Sequence, residues 1–169
     1  WFRRDLRISD HPALLAAIEA SDEIVPLFIL DDMVANKSGA NRRAYLANSL
    51  RALDVSLNEK LLVISGDPTE VLKDVMHRYG ATSVHVSADY TPYGVARDAI
   101  VIENGIELIQ TGSSYAVAPG RVRKSDETPY RVYTPFYRGW CTHGWRAPAA
   151  KPLKISAAEP LAGDRNFPD

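Results

Sequence analysis

The sequence predicts an α/β fold: a doubly wound parallel sheet of about five strands flanked by helices. Three observations carry this. Short, nearly continuous apolar runs recur along the chain. Amphipathic segments with helix-start and helix-stop residues lie between them. The two kinds of segment alternate, which implies parallel strands joined by right-handed crossovers.

Trp1-Phe2 reads as the end of a first strand whose other residues are expected upstream of Trp1. A helix is expected from Ser9-Asp10, with Pro12 in its first turn. Glu23-Ile24-Val25-Pro26-Leu27-Phe28-Ile29-Leu30 reads as a buried strand. The helix over 41–57 places Leu46, Leu50, Leu53 and Leu57 on one face. Leu61-Leu62-Val63-Ile64-Ser65 is the next strand. The clearest helix start follows it. Asp67 caps free N–H groups, Pro68 suits the first turn, Glu70 sits three residues after the cap, and Gly80 closes the helix. Val71, Leu72, Val75, Met76 and Tyr79 form its apolar stripe. Ser83-Val84-His85-Val86-Ser87 and Ile106-Glu107-Leu108-Ile109 are strands, and a helix over 94–104 stops at Gly105. Apolar strands of this kind belong in parallel sheets covered on both faces, a Rossmann-like arrangement.

The pattern changes after Gly112. Pro119-Gly120 marks a turn, 121–133 reads as a loop or irregular hairpin, and a short helix is expected from Thr134 to about Trp145. Pro148, Pro152, Pro160 and Pro168 punctuate a tail with weak periodicity. The expected division is an α/β domain over 1–146 and a linker over 147–169 leading to a second domain.

A chain of 169 residues with 46% hydrophobic and 24% charged residues suffices for one packed core. Its net charge of -1 gives no reason to expect tight DNA binding. The lone Cys141 excludes an internal disulfide and a cysteine metal cluster, which suits the cytoplasm. No apolar run approaches the roughly 20 residues of a membrane span. No G-x-G-x-x-G occurs, and the Gly139/Gly144 pair lacks the lysine and hydroxyl of a phosphate loop. His11, His77, His85 and His143 lack metal-ligand spacing, and Ser113-Ser114 lacks a nucleophile elbow. No catalytic or metal-ligating residue is assigned. What remains is a ligand-binding domain with its site beyond the carboxyl ends of the strands.

Five ordered motifs then sharpen the reading. Trp1-Phe2-Arg3-Arg4-Asp5-Leu6-Arg7-Ile8-Ser9-Asp10 resembles the W-[FH]-R-x-D-L-R-x-x-D opening of photolyases and cryptochromes. Gly66-Asp67-Pro68 resembles that family's G-D-P turn, and 89–98 its D-x-x-P-Y-x-x-x-R-D run. Pro119-Gly120 resembles the turn before its next motif. Pro129-Tyr130-Arg131-Val132-Tyr133-Thr134-Pro135-Phe136 resembles its P-Y-x-V-[FY]-T-P-F run, with Trp140 just beyond.

The resemblance implies an α/β domain that holds a light-harvesting chromophore. It also implies a helical domain, outside these residues, that binds FAD and ultraviolet-damaged DNA. In family enzymes, photoexcited reduced FAD lends an electron that splits a cyclobutane pyrimidine dimer. These residues alone are therefore expected to be inactive and monomeric, with weak or no DNA binding. A cryptochrome, a blue-light receptor without repair activity, is the alternative parent.

For the antenna, the folate-binding branch has an Asn-Glu pair where this chain has Tyr93-Gly94. The deazaflavin-binding branch has residues that resemble Arg4, Phe28, Arg42 and Asp89. The implied chromophore is 8-hydroxy-5-deazaflavin, with FMN, methenyltetrahydrofolate or no antenna as alternatives. Each residue also has a plainer role: Phe28 in the core, Arg4 in a charge network, Asp89 in a turn, Arg42 solvated at a helix start. Arg97-Asp98 is expected to be an internal charge pair, and Tyr130, Tyr133, Phe136 and Trp140 packing groups.

Overall fold

A computed structural model describes residues 1–35 and 39–168. The elements in chain order are α1 (Pro12–Ala20), β1 (Leu27–Leu30), α2 (Asp32–Ala35), α3 (Ala40–Ser56), β2 (Leu62–Ser65), α4 (Pro68–Tyr79), β3 (Val84–Ala88), α5 (Pro92–Glu103), β4 (Leu108–Ser113) and α6 (Tyr133–His143). β1 pairs with β2 and β3 with β4, both in parallel. Trp1 and Phe2 join the two pairs. The Phe2 N–H donates to Leu27 O at 2.8 Å, and the Trp1 amine donates to His85 O at 3.0 Å. The spatial order is therefore β2, β1, the Trp1-Phe2 bridge, β3, β4. Among the described residues four strands are present, as two parallel pairs, and at the place of the expected fifth Phe2 makes a single parallel bridge to Phe28.

Alternation along buried strands sends side chains into two cores. Leu27, Ile29, Leu62, Val84 and Val86 pack with Leu72 and Val75 of α4 and Val101 of α5. Phe2, Phe28 and Val63 pack on the other face with Leu14 of α1 and with Leu50 and Leu53 of α3. Helices thus cover both faces, as the apolar strands require.

Local signals set several boundaries as expected. Asp67 accepts from the N–H groups of Thr69 and Glu70 at 2.9 and 3.2 Å, and Gly80 ends α4 at φ 67°. Others differ. α1 is capped by His11, whose Nδ1 accepts from the Leu14 N–H at 3.1 Å. Asp10 instead sits at φ 50° and receives the Ala149 N–H at 2.9 Å. α5 starts at Pro92 because the Thr91 hydroxyl caps it through the Gly94 N–H at 3.1 Å. β4 begins two residues later than 106, since Ile106 turns into the first core.

The tail over 147–169 has little regular structure, yet its described residues are fastened to the domain. Ile24 bridges Ala157, and Val63 bridges Arg165. Asp164 receives Arg78 at 2.7 Å and the Tyr79 hydroxyl at 2.6 Å, while Arg165 pairs with Asp54 at 2.8 Å.

Candidate functional site

The chain's first strand residues lead to β1 on one side, while β3 lies on the other. Strand order therefore reverses between the Trp1-Phe2 bridge and β3, which is where a doubly wound sheet forms its ligand crevice, beyond the carboxyl ends of the strands. Arg3 and Arg4 emerge from the bridge and Asp89 from the end of β3. α5 supplies Tyr93, Gly94, Arg97 and Asp98 along one side.

Deepest lies a charge network. Asp98, 2% exposed, accepts from Arg3 at 2.6 Å, Arg97 at 2.8 Å and Gln110 at 3.1 Å. The Trp1 ring lies near the guanidinium groups of Arg3 and Arg97, at 5.0 and 4.7 Å from its centroid. This geometry suits cation–π attraction. Arg97-Asp98 is thus an internal charge pair, as expected, and Arg3 shares its carboxylate.

Above this network sits Asp89. Its Oδ1 receives the Thr91 N–H at 3.0 Å and the Thr91 hydroxyl at 2.9 Å. Its Oδ2 lies 3.8 Å from Arg4 and 3.7 Å from Arg97. Burial pushes this carboxyl up, but the Thr91 hydrogen bonds and the two guanidinium groups outweigh it. The group stays below the usual carboxylate range. Asp89 also rests on Gly94: a Cβ there would stand 2.2 Å from the Asp89 Cγ. The Tyr93 hydroxyl donates to Asp31, just past β1. Burial, followed by that bond, pushes the Tyr93 phenol up to about 12.

Of the four candidate residues, the structure brings Arg4 and Asp89 within ion-pair reach. Arg4 is over half exposed, and Asp89 is nearly covered. Phe28 is 8% exposed and packs in the second core. Arg42 is exposed on the first turn of α3. The sequence reading did not single out Asp31 or the seat at Gly94. A glycine three residues into a helix is a weak signal, because its cost relative to alanine is only about 1 kcal/mol.

Two hollows lie elsewhere. One of about 370 Å³ opens between α1, α4 and the starts of β1 and β3, lined in part by Trp1, His11 and His85. A shallower one beside α6 is lined by Arg123, Tyr130, Pro135, Arg138, Gly139, Thr142 and His143. None of the four candidates lines either. Among the described residues, no group of three or more His, Cys, Asp or Glu is placed to hold a metal ion. No helix among the described residues is long and apolar enough to cross a membrane.

The model of the DNA photolyase family matches residues 1–154. The chain belongs to that family. A deoxyribodipyrimidine photo-lyase of Streptomyces griseus is 34% identical over 96% of this chain and 38% of its own length. A cryptochrome-2 of Gallus gallus is 39% identical, over 64% of this chain and 20% of its own length. Among solved structures, a class III photolyase of Agrobacterium tumefaciens matches with a TM-score of 0.83 at 30% identity, covering 99% of this chain and 36% of its own. A photolyase of Sulfolobus tokodaii, solved with two FAD molecules that implicate a novel light-harvesting cofactor, matches with a TM-score of 0.77 at 27% identity. It covers 93% of this chain and 37% of its own. The chain thus spans under two-fifths of these relatives.

Proposed function

We propose that this chain is the N-terminal antenna-chromophore domain of a deoxyribodipyrimidine photolyase, a light-dependent DNA repair enzyme. The observation that carries the reading is the match to the Streptomyces griseus photo-lyase across 96% of the chain. The curated cryptochrome relative aligns with 64% of the chain, at 39% identity. The parent would bind FAD and damaged DNA through its helical domain, and the flavin would supply the electron that splits the dimer. These residues would bind and orient the antenna. The reading further takes the chain to be cytoplasmic and monomeric, with weak or no DNA binding of its own at a net charge of -1.

The crevice suits a planar heterocycle with a ring N–H and an acidic oxygen. Asp89 is ionised, and among the described residues its Oδ2 has no N–H within normal hydrogen-bond distance, so it can accept from a ring N–H. The exposed Arg4 guanidinium can meet a phenolate or carbonyl oxygen. Arg42 would reach the ligand from α3, and Phe28 would support the floor from the core. This chemistry favours 8-hydroxy-5-deazaflavin over FMN, methenyltetrahydrofolate or no antenna. The seat at Gly94 adds a steric reason. A glutamate there, as in the folate-binding branch, would collide with the present Asp89 carboxylate.

Titration of the chain with deazaflavin, FMN and methenyltetrahydrofolate, followed by ligand fluorescence, tests this. Deazaflavin is expected to bind tightest, and Asp89→Asn to weaken it about tenfold. Preferential folate binding would sink the antenna assignment. Illumination of the chain with a dimer-containing oligonucleotide and reduced FAD is expected to give no repair. Light-dependent repair would overturn the division of labour between the domains.

A further inference from the structure

A planar ligand whose edge is held by Asp89 and Arg4 also needs a partner for its face. Phe28, the aromatic expected from the sequence, is turned into the second core and is 8% exposed. Tyr93 is placed differently. It lies in the first turn of α5, directly before Gly94, the residue on which the Asp89 carboxylate rests. It is 38% exposed, so part of its ring is open to solvent.

Two contacts hold this ring in place. Its hydroxyl donates to Asp31 Oδ2, just past β1. The other oxygen of Asp31 accepts the Met33 N–H at 3.0 Å, so the anchor is itself fixed. One turn further along α5, the Arg97 guanidinium lies over the Tyr93 ring, 5.8 Å from its centroid. The same guanidinium lies 4.7 Å from the Trp1 centroid and binds Asp98 at 2.8 Å. Arg97 is thus a cation shared by two rings, and it cannot move without breaking the buried network. Burial, followed by the Asp31 bond, raises the Tyr93 phenol to about 12, so it stays protonated and keeps donating at neutral pH. A side chain fixed in this way loses little freedom when a ligand settles on it.

Arg97 also ties the ring to the acceptor. Its Nη2 is 3.7 Å from Asp89 Oδ2, the oxygen left open to a ring N–H. An acceptor for the edge of a heterocycle and a partly exposed π face therefore neighbour one guanidinium. The cation offsets the negative charge of the tyrosine π face, which favours an electron-rich or anionic ring against it. An aliphatic side chain at 93 would cover similar area without either property. On the reading that this crevice holds a planar antenna, we propose that Tyr93 is the platform on which the antenna ring stacks. It takes the part expected of Phe28, while Asp89 and Arg4 hold the edge of the ring.

The test is titration of the 169-residue chain and two variants with 8-hydroxy-5-deazaflavin, followed by ligand absorption and fluorescence, with FMN and methenyltetrahydrofolate run alongside. In the parent, stacking is expected to shift the ligand's absorption band to the red and to quench its emission. Tyr93→Phe keeps the ring and loses only the Asp31 anchor, so it should keep both signatures and bind within about twofold of the parent. Tyr93→Leu keeps an apolar side chain without the ring, so both signatures should vanish and affinity should fall about fivefold. Circular dichroism should match the parent for both variants, since Tyr93 belongs to neither core. A purely structural Tyr93 would give a different pattern. The phenylalanine variant would then weaken as much as the leucine variant, and the bound ligand's spectrum would not change. That pattern would overturn the platform and leave the antenna reading standing. So would full affinity in Tyr93→Leu, or binding by the parent without the spectral change. If the leucine variant misfolds, loss of the red shift in Tyr93→Phe, with the ring still present, would also overturn the platform. Failure of the parent to bind any of the three ligands would overturn both.

Discussion

Gly94→Ala is the sharpest perturbation of the crevice. An ideal Cβ at 94 falls 2.2 Å from Asp89 Cγ and 2.3 and 2.7 Å from its two oxygens. Ordinary van der Waals contact needs about 3.5 Å, so the carboxylate must swing away by an ångström or more. It then loses the Thr91 N–H and hydroxyl, now at 3.0 and 2.9 Å. Two hydrogen bonds to a charged acceptor are together worth about 3 kcal/mol. Alanine in place of glycine returns about 1 kcal/mol in helix propensity. The net loss is about 2 kcal/mol, or about 4–8 °C in Tm for a domain of this size. In an Asp89→Ala background the obstacle is gone, so the same change should stabilise by about 1 kcal/mol. Chemical denaturation of the four proteins of this cycle, followed by circular dichroism, measures the change of sign. Equal effects of Gly94→Ala in both backgrounds would refute the steric coupling, whatever chromophore the crevice holds.

Two further predictions concern stability. Burial pushes the Asp5 carboxyl up, but the His11 ring, whose Nε2 lies 3.1 Å from its Oδ2, and the hydrogen bond from the Arg3 N–H drive it well below the usual range. A carboxyl lowered on folding stabilises the protein fully above its unfolded pKa, and that contribution is lost as pH falls through the folded value. Acid unfolding should therefore steepen below about pH 4, and Asp5→Asn should flatten that limb in a pH series of denaturation curves. Asp54→Ala should cost about 3 kcal/mol, because it leaves the buried Leu61 N–H and the Arg165 guanidinium without their shared partner. Arg165→Met should cost less, about 1 kcal/mol, since Arg165 is one-third exposed. Equal losses in urea denaturation would show that the tail contact, not the Leu61 bond, dominates.

Near-neighbour chemistry made much of the fold legible. Asp67, Pro68 and Gly80 bound α4 because caps depend on a few adjacent residues. Apolar runs with helices between them specify a covered parallel sheet, and the five motifs single out the family. Arg4 and Asp89 were also within reach, since switch-point residues follow strand ends.

Tertiary structure decided the rest. A strand buried on both faces reads as apolar throughout, so its sequence does not say which face Phe28 takes. The proline-punctuated tail has no periodicity to reveal that Asp164 and Arg165 meet Arg78 and Asp54, 86 and 111 residues away. Gly94 looks like an ordinary helix-weakening residue until the fold lays Asp89 across it. The aromatic stripe of α6 suggests packing until the structure shows that nothing among the described residues buries it. Spacing along the chain fixes local geometry, whereas these contacts depend on segments that become neighbours only when the sheet has assembled.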